Sequence, residues 1–182
     1  MGYSVRVIAS DEIEAFLRLA IDIRLQSGLR GSPIYAPFSS DEPPRGPSPE
    51  RIAELRERLA LPTREGNWFR GFFLVHGRTP VGELTINGGR LHSERHRGTI
   101  GMGLLEGHRG KGLGEQLLST GIAWAHADPN VEWLDLGVFG GNDRALRLYT
   151  RLGFVETGRV VDRFRVDGRK ITDIQMSLRL RG

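Results

Sequence analysis

The stretch EGHRGKGLGEQLLS, Glu106 to Ser119, decides how this chain is read. It sets an arginine, a lysine and alternating glycines directly ahead of a run with helical periodicity. Glycines at 110, 112 and 114 let the backbone come close to an anion. The first N–H groups of a helix have no intrahelical partner and point at whatever precedes it. The helix dipole adds about half a positive charge there, and Arg109 and Lys111 add full ones. The pattern suits a pyrophosphate held by several charge-assisted hydrogen bonds. The competing reading is a tight strand-to-helix turn with solvated charges.

Two other phosphate motifs fail on this stretch. A P-loop needs Ser or Thr after Gly-Lys, but Gly112 follows Lys111, so the hydroxyl for Mg²⁺ is missing. A dinucleotide fingerprint, G-x-G-x-x-G, begun at Gly101 meets Glu106; begun at Gly110 it meets Glu115. What remains is Arg109-x-x-Gly112-x-Gly114, opening a helix after the strand-like GTIGMGLLEG.

Working outward, KGLGEQLLSTGIAWAHA repeats Leu113, Leu117, Leu118, Gly121, Ile122, Trp124 and Ala125 as a wide buried helical face. VEWLDLGVF reads as a buried strand, NDRALRLYTRLGF as a short helix stopped by Gly153, and two final strands meet at Asp167-Gly168. Upstream, WFRGFFLVHG and TPVGELTING pair through a turn near Gly77. YSVRVI is an opening strand. Asp11 to Gln26 carries one apolar stripe, with Ser10 or Asp11 as its cap. Ser48 caps a second helix with Pro49 at its first position. Between the two helices lies a Pro-, Gly- and Ser-rich loop with Tyr35 and Phe38, a lid or binding loop if not a connector. The order β-α-α-β-β-β-α-β-α-β-β predicts one α/β domain over 1–182, with a parallel strand pair around Gly101–Phe139 in a mixed, mostly antiparallel sheet flanked by helices.

The bulk composition narrows the classes. The 182 residues are 38% hydrophobic and 26% charged, a globular balance, with net charge +4. That excess favours anionic ligands but is too small to imply nucleic acid, and there is no basic helix or row of stacking aromatics. With no cysteine, disulfides, Cys-based zinc sites and thiol catalysis are excluded. No apolar run reaches membrane-spanning length and no signal-peptide pattern opens the chain, so a cytoplasmic protein without membrane partners is expected. His92 and His96 lack the helical context that a His-x-x-x-His metal pair needs, so no metal is expected. Trp68, Trp124 and Trp133 are expected in core or loop packing.

Two signatures in order resemble the GNAT superfamily of acyl-CoA-dependent N-acetyltransferases. Arg109, Gly112 and Gly114 match its Arg/Gln-x-x-Gly-x-Gly/Ala pattern at the start of the third helix. In LGVFGGNDRALRLYTRLGF, residues Asn142, Ala145, Leu148, Tyr149, Gly153 and Phe154 match its second signature. The closing DGRKITDIQMSL is similar to the last hairpin of many members, and the likeness covers about 81–180, the expected acyl-CoA-binding core.

The resemblance implies that fold, with the fourth and fifth strands splayed and acetyl-CoA as co-substrate in the gap. It implies coenzyme contacts at Leu104, Leu105, Glu106, Arg109, Gly110, Lys111, Gly112, Leu113, Gly114, Glu115, Asn142 and Tyr149. The Leu104 N–H is implied as the donor to the thioester carbonyl, and Met102-Gly103 fit a bulged strand edge. Asn142 is a pantetheine contact, a helix N-cap or both. Tyr149 is implied as the acid that meets the departing sulfur. A thiol of pKa about 8.5 leaves without full protonation, so Tyr149 should help rather than decide.

An amine acceptor must lose a proton, and Glu83, a carboxylate in mid-strand beside Val81 and Thr85, is the first choice of base. Its other reading is a solvent-facing strand residue. Glu106, His108 and Asp135 come behind it, and Asp135 could instead pair with an arginine. The expected activity is transfer of acetyl from acetyl-CoA to a primary amine of a small molecule or peptide, by direct attack in a ternary complex. A non-catalytic acyl-CoA sensor on the same scaffold is the alternative. Asp22, Asp41 and Glu42 either draw in a cationic amine or only solvate the surface. A homodimer is compatible with the sequence.

Overall fold

Alternating apolar residues build one twisted sheet in the computed structural model, which describes residues 2–181. The strands are β1 (Tyr3–Val7), β2 (Phe69–His76), β3 (Thr79–Gly88), β4 (Arg97–Leu104), β5 (Trp133–Phe139), β6 (Val155–Val166) and β7 (Arg169–Arg179). The helices are α1 (Ile13–Arg24), α2 (Pro49–Ala60), α3 (Leu113–Ala127) and α4 (Asp143–Arg151). Spatial order is β1-β2-β3-β4-β5-β7-β6. Every neighbouring pair is antiparallel except β4 and β5, which α3 joins in parallel. The expected element order and the mixed, mostly antiparallel α/β fold are what the chain adopts.

The helices cover both faces. α3 buries Leu113, Leu117, Leu118 and Ala125 against a core that includes Leu84, Ile86, Leu134 and Leu136. Gly121 allows the close approach, because a Cβ there would stand 2.9 Å from Leu84 Cδ2. On the other face α1 packs Ile13, Phe16 and Ile23 with Phe69 and Phe73. Trp68 is fully buried, with Trp124 tilted against it.

Two local expectations are corrected. Ser10 and Asp11 do not cap α1: they form a short 3-10 turn with Glu12. Glu12, held by Arg6, reaches back to accept from the Ala9 N–H at 2.8 Å. Ser48, by contrast, accepts from the Arg51 N–H at 3.2 Å and does cap α2. Nor does β4 bulge at Met102-Gly103, since its register against β3 runs unbroken from Gly82↔Leu104 to Gly88↔Gly98.

What opens β4 to a ligand is its other edge. It pairs with β5 only at Arg97, Gly98 and Thr99, against Trp133, Leu134 and Asp135. Beyond that point Ile100–Leu104 has no neighbour on the β5 side, so the two strands part. A clamp marks the fork. Arg97 grips Asp135 with two nitrogens, Nε at 2.7 Å, and Ser177 on β7 donates to the same carboxylate at 2.6 Å. This bidentate pair fastens three strands where the sheet divides, and it takes Asp135 out of contention as a base.

Candidate active site

The fork opens into a cleft of about 790 Å³ between the ends of β4 and β5, the start of α3, α4 and the 27–48 loop. That volume falls in the usual range for a small-molecule site.

One wall is the turn into α3. Gly110 and Gly112 have φ of +86° and +76°, a left-handed backbone in which glycine carries no side-chain penalty. Gly112 holds the N-cap position of α3 without any side-chain cap. Among the described residues, the N–H groups of Gly110, Lys111, Gly112, Leu113 and Gly114 donate to nothing in the protein. A row of unpaired amides at a positive helix end is a ready anion site. The Arg144 guanidinium stands over it, 3.6 Å from where a Cβ on Gly110 would be. Glu115 lines the same end, already paired with Arg151 at 2.6 Å.

The charged side chains of the motif do other work. Lys111 Nζ folds back onto the Gly107 carbonyl at 2.9 Å. Arg109 is turned away from the glycine turn. Its Nε donates to the Leu104 carbonyl at 2.8 Å, and its other nitrogens donate to Ser32 Oγ, Gln26 Oε1 and the Tyr35 hydroxyl at 3.2, 3.0 and 2.7 Å. The guanidinium lies over the Tyr35 ring, 5.0 Å from its centroid. Arg109 therefore straps the 27–48 loop to the end of β4. Leu113 is core, and neither Lys111, Leu113 nor Leu105 lines the cleft; for the first two only the main-chain amides remain available.

The β4 edge presents little else. The Leu105 N–H bonds Val81 O at 3.0 Å, and the Glu106 N–H is held by Gln26 Oε1 at 2.8 Å. Strand alternation then turns the Leu104 N–H away from β3, toward the gap. Of the three positions 104–106, Leu104 alone offers a free donor there.

The far wall is α4. Asn142 accepts from the Ala145 N–H at 3.3 Å, so it is the N-cap. It also lines the cleft, as does Tyr149, which is 8% exposed. Burial first, and the charge of Glu83 second, push the Tyr149 hydroxyl up to about 12.

Glu83 is not a solvent-facing strand residue. It is 4% exposed, lines the cleft, and its Oε2 has no hydrogen-bond partner among the described residues. Burial raises its carboxyl to about 7, against a smaller lowering by Arg24. His108 does not line the cleft and meets the Tyr3 hydroxyl at 3.0 Å. His92 and His96 also lie outside the cleft, as do Asp22, Asp41 and Glu42.

Arg24 and Arg144 are residues lining the cleft that the sequence did not single out, whereas it already marked Tyr35 with its loop. Only Tyr35 carried a signal, as an aromatic in a Pro-rich loop. Arg24 and Arg144 sit among many surface arginines, and only the tertiary fold gives them a place.

A family model described as the acetyltransferase (GNAT) family matches residues 34–154, well over half of the chain. The chain belongs to that family. Over 62 residues it is 34% identical to a spermidine N(1)-acetyltransferase of Vibrio cholerae, a match covering 34% of this chain and spanning 36% of the relative's length. Similarity of fold to solved structures reaches across nearly the whole chain. The GNAT acetyltransferase from Streptococcus pneumoniae superposes with a TM-score of 0.79 at 18% identity, covering 97% of this chain and 98% of that one. The yncA protein of Salmonella typhimurium, solved with its cofactor acetyl-CoA, gives 0.77 at 18% identity, over 100% and 95% of the two chains.

Proposed function

We propose that the protein, with 1–182 as a single domain, transfers the acetyl group of acetyl-CoA to a primary amine. One observation carries this reading: unpaired main-chain amides at the start of α3 share a cleft with a buried carboxylate of raised pKa and a buried tyrosine hydroxyl. The acetyl-CoA bound to the yncA neighbour and the amine acceptor named in the Vibrio cholerae relative are in keeping with it.

In this reading the turn at 110–114, with Arg144 over it, receives the pyrophosphate. Arg109, Lys111 and Leu113 serve through backbone or bracing, and Asn142 faces the pantetheine. The Leu104 N–H donates to the thioester oxygen, which gains charge as the amine attacks. One donor so placed lowers the barrier by about 2.7–4 kcal/mol. An amine of pKa about 10.4 is neutral about once in a thousand molecules at pH 7.4, a cost of about 4 kcal/mol. Glu83, balanced near neutrality, takes the amine proton. A C–N bond forms, the C–S bond breaks, and the Tyr149 hydroxyl protonates the departing sulfur.

Release of free thiol from acetyl-CoA across a panel of amines tests the reading. Turnover that Glu83→Gln lowers strongly and Tyr149→Phe lowers moderately supports it. Tight coenzyme binding without thiol release for any amine contradicts it and leaves a sensor.

A further inference from the structure

The acceptor end of the cleft carries a cation whose side chain has no hydrogen-bond partner among the described residues. Arg24, in the last turn of α1, is half-buried and lines the cleft beside Ile23. Its guanidinium makes no hydrogen bond and no ion pair among the described residues. The other arginines around the cleft are engaged or belong to the coenzyme end. Arg109 braces the loop, Arg151 holds Glu115, and Arg144 stands at Gly110 with Arg147 one turn further along α4.

We infer that the acceptor is an amine that also bears a carboxylate, as an amino acid does, and that Arg24 receives that carboxylate. This rests on the acetyltransfer reading above and deepens it. A guanidinium fork matches a carboxylate in shape and charge and binds it with two parallel hydrogen bonds. Apart from the attraction of Glu83, the half-buried guanidinium has donors with no acceptor among the described residues, open to an anion in the cleft. Glu83 shares this end of the cleft and feels the charge of Arg24. An amino-carboxylate would lay its amine toward Glu83 and its anion toward Arg24, satisfying both.

A polyamine fits the same walls poorly. Its second ammonium would need another carboxylate, and those that line the cleft are already placed. Glu106 has Arg30 at 3.9 Å, and Glu115 lies at the coenzyme end. Asp22, Asp41 and Glu42 are not in the cleft wall. Arg24 would repel a cation that came past it.

Two readouts test the inference. The first is thiol release from acetyl-CoA with the twenty amino acids, their matched decarboxylated amines, aminophosphonate analogues and spermidine. The second is calorimetric binding of the same compounds to the protein loaded with CoA. At least one amino acid should have a kcat/KM tenfold or more above that of its decarboxylated amine and a Kd tenfold or more below it. In Arg24→Gln that ratio should fall to within about twofold, Arg24→Lys should keep part of it, and acetyl-CoA affinity should not change in either variant. A decarboxylated amine or spermidine preferred by the wild type, a ratio that survives Arg24→Gln, or an aminophosphonate preferred tenfold over the amino acid would each overturn the assignment. Arg24-dependent binding of an amino acid without thiol release would uphold this inference and defeat the catalytic one. Thiol release with carboxylate-free amines alone would do the reverse.

Discussion

The Glu83 carboxylate and the Tyr149 hydroxyl line one cleft, and the charge of the first adds to burial in raising the proton affinity of the second. In the proposed reaction Glu83 would take the amine proton, and Tyr149, kept protonated by its raised proton affinity, would offer its O–H to the departing sulfur.

For Glu83 the expected pH profile has one acidic limb. The activity kcat/KM should rise with pH through an apparent pKa near 7, the value burial gives this carboxyl. Glu83→Gln should remove that limb and lower kcat by about 10²–10⁴, the usual contribution of a positioned base. An unchanged profile would assign the base elsewhere.

Stability should depend on the same group, with a definite sign. Its carboxyl lies near 7 when folded and near the ordinary 4.5 when unfolded. Between these values the native state holds more protons, so stability falls as pH rises. Below about 4.5 both states are protonated and the penalty is absent; above about 7 it is complete. The gap corresponds to about 3 kcal/mol as an upper estimate. Denaturant unfolding of wild type and Glu83→Gln at pH 4.5 and 8 should show the wild type losing ground to the variant at the higher pH. A constant difference between the two would contradict the burial argument.

Tyr149→Phe should lower kcat about tenfold and leave the KM for acetyl-CoA nearly unchanged. A thiolate departs without full protonation, so the effect is moderate. Because the hydroxyl is raised to about 12, no alkaline limb below pH 10 should come from its ionisation. Steady-state kinetics with varied acetyl-CoA checks both points.

Arg109→Ala should disturb the acceptor side more than the coenzyme side, because its guanidinium holds Ser32, Tyr35 and Gln26 rather than facing the glycine turn. Acceptor KM should rise severalfold and amide exchange across 27–48 should quicken. A loss confined to acetyl-CoA affinity would show that the side chain swings to the phosphates instead.

Much of this was legible in the sequence. Periodicity placed α3 and its buried face, and the strand-helix-strand succession gave the parallel β4–β5 pair. The glycines at 110, 112 and 114 marked a backbone that an anion can approach closely, and the structure adds that Gly110 and Gly112 hold positive φ. What could not be read was side-chain direction. Arg109 and Lys111 look like phosphate ligands in a linear motif, yet both fold onto carbonyls that come near only in three dimensions. Glu83 alternates like any strand residue, and its burial depends on α1 lying across β3. Arg24 and Arg144 carry no local signature, because their meaning comes from the cleft they border.

Acetyl-CoA titration of wild type, Gly112→Val and Gly114→Ala, followed by calorimetry and thermal unfolding, tests the central claim most directly. At a hundred times Kd a single site adds about 2.7 kcal/mol, so the wild type should rise by about 5–10 °C for a chain of this size. Gly112→Val should lose most of that rise, since Gly112 holds φ +76° at the helix start. Gly114→Ala should keep its fold, since a Cβ there meets only ordinary contacts of 3.5 Å or more. No heat and no upshift in the wild type, or an undiminished upshift in Gly112→Val, would contradict the claim that the bare amides at the start of α3 hold the coenzyme.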